Sequence, residues 1–234
     1  MKGSLVTPLA LGLVSALSCP TVAFSRQADK LQPVRLSVHV YNLSNATPRM
    51  MNQAMKEVRR IFDAAGLAIV WQERITDAPE SRITDQHAGR TSLSSNLDSR
   101  NYIVVKIRPG FPDSGLPGAL GYSLPDARFG PHAELFYNRI ERDAVSTGTD
   151  VAVILGHAIA HELGHVLLGS SEHTTEGIMK ARWGRTDHER AAKGCLNFTA
   201  SQSDLIRRNA SIWVNRGSDQ SGPMPGPSGA VYPQ

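Results

Sequence analysis

The sequence predicts an α+β fold with an α/β-like N-terminal part, and three observations carry that reading. Residues 34–41 alternate apolar and polar side chains, with Val34, Leu36, Val38 and Val40 against Arg35, Ser37 and His39. That period belongs to a strand with one buried face. Met51, Met55, Val58, Ile61 and Phe62 then recur at helical spacing, and a short apolar run follows at residues 67–71. Much later, a long apolar stretch holds Val151, Ile154, Leu155, Ile159, Leu163, Val166 and Leu167 on a helical period.

Taken in order, the first helix opens at Thr47-Pro48, with threonine as cap and proline in the first turn, and Gly66 stops it. Strand, helix and strand in succession imply a right-handed crossover and parallel pairing. Residues 74–100 are polar with few apolar anchors and read as a long surface excursion. Residues 102–107 form the third strand, and the Gly- and Pro-rich residues 109–117 a loop. Residues 120–124 and 133–140 read as short extended segments, the second an edge strand able to pair with an extended peptide. Thr149 or Asp150 caps the long apolar helix, and Gly169 ends it. Residues 200–213 form a last helix through Leu205, Ile206, Ile212 and Trp213.

The length of 234 residues suits one domain with a sizeable core. We divide it into a signal peptide at 1–23, a linker at 24–33, a catalytic domain at 34–215, and a Gly/Pro/Ser-rich disordered tail at 216–234. Lys2, the apolar residues 5–17 and the small residues Thr21-Val22-Ala23 make up the targeting signal. They imply a secreted or periplasmic protein without a stable membrane span in its mature form. A lipid anchor on Cys19 is the lesser reading, because Ala16-Leu17-Ser18 fit that pattern poorly. Removal of Cys19 would leave Cys195 as a lone thiol. The net charge is +4, but lysine and arginine are scattered, so no nucleic-acid partner is expected. Oligomeric state is open.

The chemistry lies in His161-Glu162-Leu163-Gly164-His165. Two imidazoles four residues apart share one helix face and can grip one ion, and the carboxylate after the first can act as general base on an activated water. A third ligand must come from outside the helix. His173 is the first candidate, with Glu176, Asp187 and Glu189 also available. Gly164, inside a well-formed helix, asks for the close approach of another backbone segment, such as a metal-bearing loop crossing the helix, or for ordinary tight packing, since glycine there costs about 1 kcal/mol against alanine. His157, one turn earlier, reads as a core histidine. His39, His87, His132 and His188 have no ligand spacing. Tyr122 and Tyr137 are candidate oxyanion donors.

His161, Glu162 and His165, followed by Gly169, His173 and Met179, resemble the metzincin clan of zinc peptidases. The order of segments resembles it too, over about residues 34–213. The resemblance implies a mixed twisted sheet with a strand–helix–strand start, an active-site helix, a methionine turn at Met179 and a C-terminal helix. It also implies Zn2+ held by His161, His165 and His173. The implied activity is that of a zinc metalloendopeptidase hydrolysing a peptide or protein substrate, with a zinc-activated water and Glu162 as general base. The sequence departs from the clan in spacing. The usual glycine and histidine positions hold Leu168 and Ser171, so glycine comes one residue late and histidine two, giving HExxH-x3-G-x3-H. The competing readings are a non-catalytic zinc-binding module of the same fold that binds a partner or a cell-wall component, and a metal-free structural domain.

Overall fold

The computed structural model describes residues 33–73, 102–110, 118–125, 127 and 130–218. The expected signal peptide, most of the linker, the 74–100 excursion, most of the 109–117 loop and the tail beyond residue 218 lie outside the described residues. Strand β1 (Val34–Asn42), helix α1 (Pro48–Ala64) and strand β2 (Leu67–Glu73) open the fold. Strands β3 (Tyr102–Arg108), β4 (Gly121–Leu124) and β5 (His132–Phe136) follow, then helices α2 (Tyr137–Thr147), α3 (Val151–Leu168), α4 (Arg185–Ala192) and α5 (Ala200–Ser218).

The sheet order is β2-β1-β3-β5-β4. β1 pairs parallel with β2 and β3, and β3 parallel with β5, while β4 runs antiparallel to β5. The sheet is therefore mixed, as expected, and mostly parallel. The alternation that predicted β1 places Leu36, Val38 and Val40 in the core, and Ile103, Val105 and Ile107 of β3 line up beside them. α1 begins where the Thr47 side chain accepts from the Met50 N–H (3.3 Å), and its Met51, Ala54, Met55, Val58, Ile61 and Phe62 are buried.

Two expectations need correction. Residues 133–140 are not one extended segment: the chain leaves the sheet after Phe136, and Tyr137 begins α2. Tyr137, Ile140 and Ala144, at helical spacing, are its buried positions. The apolar run Leu135-Phe136-Tyr137 spans the junction and hid it. β5 is also not an edge strand, since it lies between β3 and β4, and among the described residues the edge belongs to β4. Helix α5 continues the expected last helix to Ser218.

α3 is the central element. It is capped by Asp150, whose carboxylate accepts from the Ala152 N–H (2.7 Å), and it ends at Gly169 with φ 64°, in the left-handed region. It is long and apolar enough to cross a membrane by composition, but most of it is buried among its neighbours, as in a core helix. Ile154, Leu155, Ile159 and Leu163 are fully buried, each contributing about 1.5–3 kcal/mol of transfer free energy. α1 crosses α3 at Gly156, where a Cβ would lie 2.7 Å from Glu57 Cβ and 2.8 Å from the Ala54 carbonyl oxygen. Alanine there gains about 1 kcal/mol of helix propensity and must push the helices apart. Gly156→Ala is expected to lower stability by about 1–3 kcal/mol in urea unfolding. A stabilised variant would show that α1 yields freely.

Candidate metal centre

The site sits on the C-terminal half of α3. His161 and His165 project from one face, one turn apart, and their Nε2 atoms approach to 3.1 Å. His161 Nδ1 donates to the Ile178 carbonyl (2.8 Å) and His165 Nδ1 to the Ser170 carbonyl (2.8 Å). A carbonyl can only accept, so both Nδ1 atoms carry the proton and both Nε2 atoms present lone pairs. Desolvation, the largest cause, and the neighbouring imidazoles push His161 down to about 4, against the opposing pull of its carbonyl bond. His165 is also lowered, first by desolvation. Both rings are neutral near pH 7.

His173 joins them from the following turn. One ring nitrogen of each of His161, His165 and His173 lies within 4.8 Å of the others, and among the described residues this is the group that can hold a metal ion. The His173 ring packs 5.3 Å from His161 and 4.8 Å, nearly perpendicular, from His165. The late position of His173 is absorbed by an open turn after Gly169. The return is fixed from its far side, where the Thr174 N–H donates to the Met179 carbonyl (2.9 Å) and Thr174 bridges Lys180. Gln202 at the start of α5 donates to Thr174 Oγ1 (3.2 Å).

Met179 lies directly under α3. A Cβ at Gly164 would come within 2.6 Å of Met179 Sδ and 2.8 Å of Phe198 Cε1. The close neighbours that Gly164 demanded are thus two side chains rather than a crossing backbone. Met179 and Ile178 are fully buried.

Glu162, on the next face of α3, is buried, and desolvation raises it to about 7, with the Ser123 hydroxyl bond opposing. β4 passes close beside it: a Cβ at Gly121 would lie 3.2 Å from Glu162 Cγ. Edge strand and carboxylate therefore share one wall of the site.

The other candidates are placed elsewhere. His157 is fully buried, donates to the Val153 carbonyl (2.8 Å) and packs near Arg60. Asp187 accepts from Lys180 and from the Gly184 N–H, and Glu189 pairs with Arg185. Neither joins the histidines, nor does the exposed Glu176. Tyr122 bonds Glu134, and Tyr137 is buried against Met50 and Glu141. His188 is buried and bonds Asp143 (2.7 Å), tying α4 to α2. His39 is buried and stacks on Tyr102. Cys195, just after α4, does not join the histidines. Ser123, Trp183 and the carbonyls of Ser170 and Ile178 were not singled out in the sequence, and the backbone groups carry no residue-type signal by which they could have been.

The donor set fits zinc. Two lone pairs facing each other at 3.1 Å repel unless a cation lies between them. Four-coordinate zinc, with Zn–N of about 2.0–2.1 Å, spaces its nitrogens only slightly wider.

Without metal, Glu162 burdens the fold. Its folded value of about 7 lies above the ordinary 4.5, so the folded state binds the extra proton between those values and stability falls as pH rises across that window. In metal-free protein, Glu162→Gln is expected to match wild type below pH 4.5. Above pH 7 it should exceed wild type by up to roughly 3 kcal/mol in chemical unfolding. Equal stability at pH 8 would contradict the burial penalty.

No protein-family profile matches the sequence, and no curated protein does. Among solved structures, the fold is similar to archaemetzincin from Methanopyrus kandleri, with a TM-score of 0.50 at 12% identity over 78% of this chain and 99% of that one. It is also similar to metalloproteinase-II from Bacteroides fragilis, with a TM-score of 0.46 at 13% identity over 76% of this chain and 53% of that one. The likeness to archaemetzincin supports the α+β arrangement expected from the sequence.

Proposed function

We propose that this chain is an exported, zinc-dependent peptidase of metzincin-like kind, with His161, His165 and His173 as metal ligands and Glu162 as general base. The observation that carries the reading is the convergence of three histidine nitrogens beside a buried carboxylate on the same helix. Three neutral imidazoles leave zinc its full charge, and the ion then supplies Lewis acidity, lowering the pKa of water toward 7 and polarising a carbonyl.

The chain's own groups do the rest. The two backbone carbonyls hold His161 and His165 in the tautomer that offers Nε2. Glu162 takes a proton from water and returns it to the leaving amine. Burial raises its pKa in the metal-free chain, and a cation held beside it would pull it back down toward the ionised form that accepts a proton. Ser123 on β4 holds one side of that carboxylate. Among the described residues β4 terminates the sheet beside Glu162, and an extended peptide adding to its outer edge would bring a peptide bond toward the three histidines.

Export rests on Lys2, the apolar residues 5–17 and the small residues before Phe24. N-terminal sequencing of exported protein reads the cut. A start at Phe24 supports the proposed cut, and exported protein that still begins at Met1 overturns it.

Glu162→Gln is expected to keep about one equivalent of zinc by atomic emission and to lose roughly 10²–10⁴-fold in kcat on a peptide library. Undiminished turnover in pure protein would refute the base. His161→Ala is expected to lose the zinc; full occupancy would count against the ligand set. Zinc-loaded wild type that cleaves no peptide would favour the non-catalytic module.

A further inference from the structure

The carbonyl of Ile178 accepts twice. His161 Nδ1 donates to it at 2.8 Å and the Trp183 indole N–H at 3.0 Å. A carbonyl oxygen has two lone pairs, and here both are used. The partner of His165, the Ser170 carbonyl, lies in the open turn after Gly169. The two ligand histidines are therefore held differently, one by a carbonyl braced from its second side.

The indole is itself held. Its ring meets His161 edge-on at 5.9 Å, His157 edge-on at 6.2 Å and His188 edge-on at 6.3 Å. His188 is tied to Asp143 of α2, and to the Gly184 carbonyl (2.9 Å) at the start of α4. Trp183 stands just before that helix start, where the Gly184 N–H donates to Asp187 (2.9 Å). The indole thus bridges the α4 start to the helix that carries the histidines.

We propose that Trp183 is a positioning residue for the metal centre: its indole N–H fixes the Ile178 carbonyl, and that carbonyl fixes the tautomer and direction of His161. The inference rests on the ligand set proposed above. With the indole bond gone, the carbonyl keeps only the bond from His161, the pair can swing together, and the ring loses its fixed aim. Outer partners of this kind are worth about 10–100-fold in metal affinity. The role belongs to the N–H and not to the bulk of the ring, so phenylalanine separates the two. It keeps an aromatic ring in the slot and leaves no orphaned buried group, because His161 still satisfies the carbonyl.

The test is chelator competition for zinc on the full chain, comparing wild type, Trp183→Phe and His161→Ala. Trp183→Phe is expected to bind one equivalent about tenfold more weakly, with an unchanged melting temperature in the metal-free state and shifted visible bands in the cobalt-loaded state. Affinity within twofold of wild type overturns the proposal, and so does a loss of affinity that merely follows a lowered metal-free melting temperature. A second measurement needs no variant at position 183. The chain has three tryptophans, so nitrogen-15 spectra of wild type show three indole N–H resonances, assigned through Trp71→Phe and Trp213→Phe. Zinc is expected to shift the Trp183 indole resonance and leave the other two in place; an unmoved Trp183 resonance overturns the proposal. If wild type and Trp183→Phe bind zinc equally and His161→Ala does not, only the role of Trp183 fails. Wild type that takes up no zinc overturns the ligand set as well.

Discussion

The arrangement depends on one close approach: the turn that carries Ile178 and Met179 is seated against α3 at Gly164. No larger residue fits there without displacing Met179 or Phe198. That contact delivers the Ile178 carbonyl to His161 and brings the strand-like return at Thr174 beneath the helix end. It also accommodates the two extra residues before His173, one of them Leu168 in the last turn of the helix and the other in the turn after Gly169. The turn is anchored from the Thr174–Lys180 side and by Gln202, so the slack collects in the exposed residues after Gly169 and does not move the histidine away.

The centre is built against the preferences of its own groups. Imidazole lone pairs face each other, and a carboxyl is buried with one hydroxyl partner. Such groups lower stability in the absence of a ligand. What holds them is the surrounding core: Leu155, Ile159 and Leu163 on α3, Ile178 and Met179 below, and the tight crossing with α1 at Gly156. A ligand that binds only the folded state would return part of that cost as stability.

The strand–helix–strand opening was legible because each piece has a clean period and an explicit stop, Thr47-Pro48 at one end and Gly66 at the other. The shared helix face of His161 and His165 followed from four-residue spacing alone, and the need for a close neighbour at Gly164 followed from helix propensity. The start of α2 was not legible, because Phe136 and Tyr137 are apolar on both sides of the point where the chain turns from strand to helix. The edge position of β4 was hidden for another reason. Strand order depends on which neighbours a strand finds after long connections, and no local pattern encodes it. The carbonyl partners of the two histidines were invisible because every residue has a carbonyl. Trp183 stood five residues beyond Ile178 without any spacing rule to mark it.

The most direct measurement is X-ray absorption at the zinc edge on the full chain loaded with one equivalent of metal. The account predicts a shell of nitrogen and oxygen at about 2.0–2.1 Å, with the outer scattering of three imidazoles. A shell containing sulfur, or scattering from two imidazoles alone, would contradict the proposed convergence of His161, His165 and His173 on one ion.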